Sequence, residues 1–277
     1  MTRLMHKIGS VTVFTGHFLQ FFSKRVESNG WRSAMKYAKC CWIDFYIELR
    51  ERRMTKPRVE CPCCGWTGYD FRGMDGIFFY LPSVHCPQCN GCERHRMLHL
   101  YIRRHDPELF NRAGWIIHFA PAREGNLRGL MEESGQLKIF ATDYNPDVVR
   151  HLPQPKHCGD IQQQPLKDGC FDLLFCMHVL EHVPEDKKAI HELWRILKPG
   201  GVAYIMVPYE PGTTESYALP EPDPMTHIWM YAVKDFKDRL EGFDVKEIHP
   251  KDFMSAQELD RYKVPPKEVI YRCVKVE

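Results

Sequence analysis

Five cysteines between positions 61 and 89 carry the clearest chemistry in the chain. Cys61-Pro62-Cys63-Cys64-Gly65 and Cys86-Pro87-Gln88-Cys89 form two CxxC knuckles with 21 residues between them. Zinc takes four soft ligands in a tetrahedron, and two such turns on facing loops supply them. Equal spacing in both knuckles favours Cys61, Cys64, Cys86 and Cys89 as zinc ligands. Cys63 competes in the first knuckle and Cys92 in the second. The expected role is a structural staple for a stretch too small to bury its own core. Two matched pairs argue for one closed site rather than redox exchange. Cys40, Cys41, Cys158, Cys170 and Cys273 show no partner pattern and read as core or bystander residues.

A second set of residues is polar and spread more widely. Asp143 ends an apolar run, and an acidic residue at such a place accepts both hydroxyls of a ribose in dinucleotide folds. Gly159-Asp160-Ile161 follows. Phe171 to Cys176 is apolar apart from Asp172 and opens into Cys176-Met177-His178-Val179-Leu180-Glu181-His182-Val183. His227, followed by Trp229 and Tyr231, comes after an irregular stretch from Tyr209 to Met225. That stretch is rich in Pro, Glu and Gly, as a substrate lid is. Histidine is the usual proton acceptor near neutral pH, so His178 and His227 are the candidate catalytic bases. His182 equally fits a packing role under a sheet. His178-x-x-Glu181-His182 also matches an inverted zinc-protease pattern. Its place at a strand-to-helix junction of a nucleotide fold sets the protease reading aside and leaves a divalent cation at the turn open.

These residues need a scaffold, and the periodicity provides one. Trp115 to Phe119, Leu137 to Thr142, His157–Cys158, Phe171 to Cys176 and Val202 to Val207 read as strands. Glu124 to Glu133, Asp147 to Leu152 and Glu185 to Leu197 read as helices between them, the last stopped by Pro199-Gly200-Gly201. Alternation of this kind gives a parallel sheet with helices on both faces. Phe243–Ile248 and Glu268–Val276 read as two strands with no full helix between them, adding an antiparallel strand. The fold class expected is α/β: a doubly wound, mostly parallel seven-stranded, Rossmann-like sheet. In such sheets ligands bind beyond the carboxyl ends of the strands, where Asp143, Asp160 and the His178 turn all fall. The organisation expected is a helical basic arm over 1–56, a zinc ribbon over 57–92, a connecting helix within 93–112 and the nucleotide-binding domain over 113–277.

The run Phe171–Val183, the segment Arg195-Ile196-Leu197-Lys198-Pro199-Gly200-Gly201 and the spacing between them closely resemble class I S-adenosylmethionine-dependent methyltransferases. With the CPxC knuckles, Glu93-Arg94-His95-Arg96 and His118-Phe119-Ala120-Pro121, the layout is similar to bacterial-type methyltransferase-domain proteins with a leading zinc ribbon. The resemblance spans roughly residues 58–275. It implies S-adenosylmethionine as cofactor, beside Zn2+ in the knuckles. By resemblance, Asp143 holds the ribose and Asp160 the adenine amino group, with the Ile161 backbone nearby. His118, Phe119, Ala120 and Pro121 line the methionine end, and Cys176 and Met177 flank the sulfonium. One departure stands out. The family's first loop is glycine-rich, whereas Phe119-Ala120-Pro121-Ala122-Arg123-Glu124-Gly125 has one late glycine.

The implied activity is methyl transfer to a hydroxyl or amine of a small molecule or glycan. Two alternatives remain: a nucleic-acid methyltransferase using the zinc ribbon and basic arm, and a non-catalytic zinc-ribbon scaffold. A formal net charge of +2 over 277 residues does not suggest nucleic-acid binding driven by bulk charge, and there is no Asn/Asp-Pro-Pro-Tyr-type loop. Residues 1–56 are locally basic, with eleven Lys/Arg against four Asp/Glu, which leaves weak peripheral membrane contact open. No stretch has the roughly 18 apolar residues of a membrane span. The clustered cysteines point to a reducing, cytoplasmic setting.

Overall fold

The computed structural model describes residues 22–23, 26–27, 30–32, 34–35, 37–75, 80–111, 114–121, 137–152, 155–210, 212–223 and 226–276. The helix expected over Glu124–Glu133 lies outside these residues. The chain divides into two compact units. One comprises Met1–Val59 and Thr67–His85. Its described parts include helix over 37–51 and an antiparallel hairpin of Arg72–Asp75 with Tyr80–His85. The Arg50 and Arg58 guanidinium carbons lie 5.1 and 5.0 Å from the Tyr69 ring centre, within cation–π range. Among the described residues no helix is long and apolar enough to cross a membrane.

The other unit comprises Glu60–Trp66 and Cys86–Glu277, so both knuckles belong with the sheet. It opens with helix α1, Glu93–His105. The strands of its sheet are β1 (Gly114–Phe119), β2 (Leu137–Asp143), β3 (Lys156–Cys158), β4 (Phe171–Met177), β5 (Leu197–Met206), β6 (Phe243–Ile248) and β7 (Ile270–Lys275). Their order is β6-β7-β5-β4-β1-β2-β3, a seven-stranded sheet. β1 to β5 pair in parallel, and β7 runs antiparallel to both β5 and β6. The expected doubly wound sheet with an antiparallel strand is therefore present.

The apolar runs follow from burial on both faces. Leu174 and Cys176 of β4 join Ala203 and Ile205 of β5 in one core. Helix α3 (Asp186–Ile196; α2 is Pro146–His151) covers it with Ala189, Ile190, Leu193 and Ile196, an i, i+1, i+4, i+7 stripe. Leu173, Phe175 and Met177 face the opposite way with Val202, Tyr204 and Met206, against Met97, Leu98, Tyr101 and Ile102 of α1. Phe175 stacks on Tyr204 at 5.6 Å.

Two local expectations change. α3 stops at Ile196 and β5 begins at Leu197, so Pro199-Gly200-Gly201 lies inside the strand. The β4–β5 register slips there, between Phe171↔Leu197 and Leu173↔Val202. A bulge absorbs the proline and the left-handed Gly200, φ 73°. Between β6 and β7, where no full helix was expected, a short helix runs over Ala256–Tyr262; it follows the four-residue α4, Val233–Phe236, and is labelled α5. Ser255 accepts from the Glu258 backbone N–H and Glu258 reaches back to Ser255 N, a capping box.

Candidate active site

The register aligns the carboxyl ends of the parallel strands into a row. Asp143 pairs with Cys158, Phe119 with both Thr142 and Cys176, and Met177 with Met206. Strand order reverses between β1 and β4, so Phe119, Ala120, Cys176 and Met177 flank the switch point where such sheets bind ligands. Asp143 Oδ1 accepts from Asn145 N at 2.8 Å. Asn145 in turn caps α2 through Asp147 N at 2.9 Å, which fixes the carboxylate in the turn. Asp160 accepts from the Gln162 backbone at 2.9 Å and from the Gln162 amide at 3.0 and 2.9 Å. Ile161 is buried in the core. Thr142 Oγ1, one residue before Asp143, is buried without a partner.

Ala120 takes φ 51°. A left-handed bend here is what a glycine in the first loop would provide, and a small alanine adopts it at modest cost. His118 is buried within β1, 5.7 Å from the Phe175 ring. Pro121 is buried and Phe119 sits in the α3-side core.

Beyond β4, His178 also adopts a left-handed backbone, φ 54°. Its Nδ1 lies 3.7 Å from Glu181 Oε1 and its Nε2 3.9 Å from Glu268 Oε2. That Nε2 and both Glu181 oxygens are buried without hydrogen bonds. Arg94, at the start of α1, is the opposing charge that acts on both Glu181 and Glu268. Burial holds His178 well below the usual imidazole range and pushes Glu181 up to about 8. The structure also brings His227 here. Ile228 N donates to the Glu181 carbonyl at 2.6 Å. Trp229 Nε1 donates to the Val183 carbonyl at 2.9 Å, and the Tyr231 hydroxyl to the Leu180 carbonyl at 3.1 Å. The His182 and His227 rings are 5.0 Å apart. Burial lowers the pKa of His227 against the opposing pull of Asp223.

Sequence reasoning missed Glu268 and Arg94. Glu268 was assigned to a strand, yet it precedes β7, and nothing in its local pattern marks it. Glu181 was visible in the His-x-x-Glu-His run, but its complete burial was not.

Burial pushes the Glu268 carboxyl up from 4.5 to about 7, against the pull of Arg94 and Lys267. A carboxyl whose folded pKa is raised contributes stability that is full below its unfolded pKa and is lost as pH rises through the folded one. Replacing Glu268 with glutamine should therefore flatten the fall in melting temperature between about pH 5 and 7. Parallel melting curves for the two proteins would contradict this.

A cavity of about 370 Å3 opens on the same side, at the carboxyl end of β5. Tyr209, Thr213, Val233, His249, Lys267 and Val269 line it. It is large enough for a small-molecule group.

The four-cysteine cluster forms as spaced. Cys61 and Cys89 sulfurs are 3.6 Å apart, as are those of Cys64 and Cys86, and all four lie within 4.8 Å of one another. A zinc tetrahedron with Zn–S near 2.3 Å has edges of roughly 3.8 Å, so the sulfurs fit that ion. Hydrogen bonds among the sulfurs lower the pKa of Cys86 and raise those of Cys61, where the bond with Cys63 is the largest cause, and Cys89. The competitors take other places. Cys92 is the N-cap of α1, its backbone N–H donating to His95 Nδ1 at 3.0 Å. Cys63 is buried beside the cluster, its thiol hydrogen-bonded with Cys61, and is not one of the four.

Parts of the chain are similar to known proteins. Residues 122–205 match the family described as a methyltransferase domain. Malonyl-[acyl-carrier protein] O-methyltransferase of Serratia marcescens is 34% identical over 83 residues, 28% of this chain and 32% of that protein. Ubiquinone biosynthesis O-methyltransferase of Xanthomonas oryzae pv. oryzae is 32% identical over 90 residues, 28% of this chain and 38% of that protein. The chain thus spans well under half the length of these curated relatives. A solved S-adenosylmethionine-dependent methyltransferase from Archaeoglobus fulgidus superposes with a TM-score of 0.48 at 18% identity, covering 67% of this chain and 95% of that one. Residues 122–205 are thus similar to a methyltransferase domain.

Proposed function

We propose that the protein transfers a methyl group from S-adenosylmethionine to a hydroxyl or amine of a small molecule or glycan, and that its four cysteines hold a structural zinc ion. One observation carries the reading. Asp143, Asp160 and the Cys176–Met177 strand end lie along the carboxyl edge of one sheet, and a buried His–Glu cluster follows directly on that edge. The residues suit the cofactor: carboxylates that retain acceptor capacity, a bent first loop at Ala120 and the orphaned Thr142 hydroxyl.

S-adenosylmethionine supplies a methyl group already activated on sulfur, so the protein mainly aligns the acceptor and excludes water. Asp143 holds the ribose hydroxyls and Asp160 the adenine amino group. The His118–Pro121 segment borders the methionine end, and the Cys176 and Met177 backbone the sulfonium. His178 or His227 takes the acceptor's proton. Burial keeps both imidazoles neutral near pH 7, as a base requires. The 209–231 segment and the adjoining cavity bind the acceptor.

Removing the Asp143 carboxylate should weaken cofactor binding. A pair of charge-assisted hydrogen bonds contributes about 1.5–3 kcal/mol, so Asp143→Ala should raise the Kd for S-adenosylmethionine roughly 10- to 100-fold. An unchanged Kd would remove Asp143 from the site. The acceptor class is tested by incubating the full chain with cofactor labelled in its methyl group and panels of hydroxyl and amine metabolites, glycans and RNA. Label should enter a small molecule or glycan and depend on His178 or His227. Label entering RNA alone would replace this reading with nucleic-acid methylation.

A further inference from the structure

Glu181 is a carboxylate with no exposed surface and no hydrogen bond to either oxygen. Among the charges acting on it, Arg94 is opposite in sign, while Glu268 and Asp223 are like charges. Buried carboxylates are ordinarily hydrogen-bonded, paired or bound to a metal. Neither neighbouring imidazole repairs the deficit: His178 Nδ1 lies 3.7 Å from Glu181 Oε1, beyond hydrogen-bond reach. His182 Nε2 stands 3.8 Å from Glu181 Oε1, and the orientation of its ring explains why. His182 Nδ1 is 3.0 Å from the Thr226 carbonyl oxygen. The carbonyl only accepts and the Thr226 hydroxyl, 3.2 Å from Nδ1, can accept beside it, so Nδ1 carries the proton and the neutral ring presents the Nε2 lone pair toward Glu181. His227 repeats the arrangement, with Nδ1 3.1 Å from Asp223 Oδ2. Its proton is drawn to that carboxylate, and Nε2 keeps the lone pair.

Donation of the second ring N–H to a carboxylate or backbone carbonyl is how proteins orient metal-binding histidines. One ligand atom from each of Glu181, His182 and His227 falls within 4.8 Å of the others. Two lone pairs and an unpartnered carboxylate converge on one point, a donor set that a cation takes.

We infer that Glu181, His182 and His227 bind a divalent first-row transition ion, separate from the four-cysteine site, with Asp223 and the Thr226 carbonyl orienting the imidazoles. Two imidazoles with one carboxylate suit Zn2+ or Fe2+ better than Mg2+ or Ca2+. Three protein ligands leave an open position. This deepens, and rests on, the methyl-transfer reading: an acceptor hydroxyl in the open position loses its proton more readily, and the proton goes to His178 because His227 is then a ligand, whereas an amine is nucleophilic once neutral and needs no such ion. The acceptor is therefore narrowed to a hydroxyl.

The test is elemental analysis and cobalt spectroscopy on the full chain. After equilibration with Zn2+, the protein should hold two ions per chain. Glu181→Gln and His227→Gln, each of similar size to the original, should hold one, with affinity at the second position reduced more than about tenfold. In the Co2+ form, the four-cysteine site shows thiolate charge-transfer absorption. The second ion should add only weak d–d bands, which the two variants lose while keeping the charge transfer. One ion per chain in the parent protein, or a second ion unaffected by both substitutions, overturns the proposal. Calorimetry with S-adenosylmethionine on the same samples separates the two readings. Two ions without cofactor binding defeats methyl transfer and leaves the ion site standing, while one ion with cofactor binding does the reverse.

Discussion

Replacing Cys86 with alanine should strip the knuckle ion and lower the melting temperature by about 10–20 °C. Both knuckles fold as the same turn. Gly65 N donates to the Cys61 carbonyl at 2.9 Å and Asn90 N to the Cys86 carbonyl at 2.9 Å. Gly65 and Asn90 each close the turn with a left-handed backbone, φ 74° and 61°. No knuckle residue belongs to either core cluster of the sheet, so a bound ion would supply cohesion, and structural zinc contributes about 10–16 kcal/mol of apparent binding energy in small domains. If about 5 kcal/mol of that supports this larger unit, at 2–4 °C per kcal/mol, the shift above follows. The effect should spread, because the second knuckle runs through Gly91 into Cys92, the N-cap of α1, and α1 underlies one face of the sheet. Cys63→Ala, at a cysteine beside the four, should keep the ion. Metal content and thermal melts check both variants. A Cys86→Ala protein that retains the ion contradicts the ligand assignment.

Arg96→Ala should cost about 3–5 kcal/mol in denaturant unfolding. Arg96 is fully buried, and its guanidinium donates to three backbone carbonyls: Tyr262 at 2.7 Å, Gly91 at 3.0 Å and Lys263 at 3.2 Å. It thereby joins the second knuckle to the end of α5, where Lys263 leaves the helix with φ 48°. Alanine would leave all three carbonyls without this donor and open a cavity. Lysine supplies a point charge instead of a planar fork, so Arg96→Lys should recover less than half of the loss. A change within about 1 kcal/mol for Arg96→Ala would mean water replaces the guanidinium at little cost.

The central strands were legible because burial on both faces leaves long apolar runs, as in Phe171–Met177 and Val202–Met206. The knuckles were legible because two CxxC turns of equal spacing bring four sulfurs within 4.8 Å of one another. The convergence of Glu181 with His227 was not. It depends on Ile228 and Trp229 bonding to carbonyls more than forty residues away, which no local period encodes. Glu268 is equally silent, since its significance comes from Arg94 and His178 across the fold. The helix between β6 and β7 had a readable signal, Ser255 three residues before Glu258, masked by the short run that follows it. The bulge at Pro199-Gly200-Gly201 carried an ambiguous one, because Pro-Gly-Gly ends a helix as readily as it kinks a strand.

Whether the sheet's carboxyl edge binds the cofactor is settled most directly by titrating the 277-residue chain, equilibrated with Zn2+, with S-adenosylmethionine in a calorimeter. The account predicts a single saturable site, weakened roughly 10- to 100-fold in Asp143→Ala. No heat of binding at millimolar cofactor, from a protein that melts cooperatively, would contradict it.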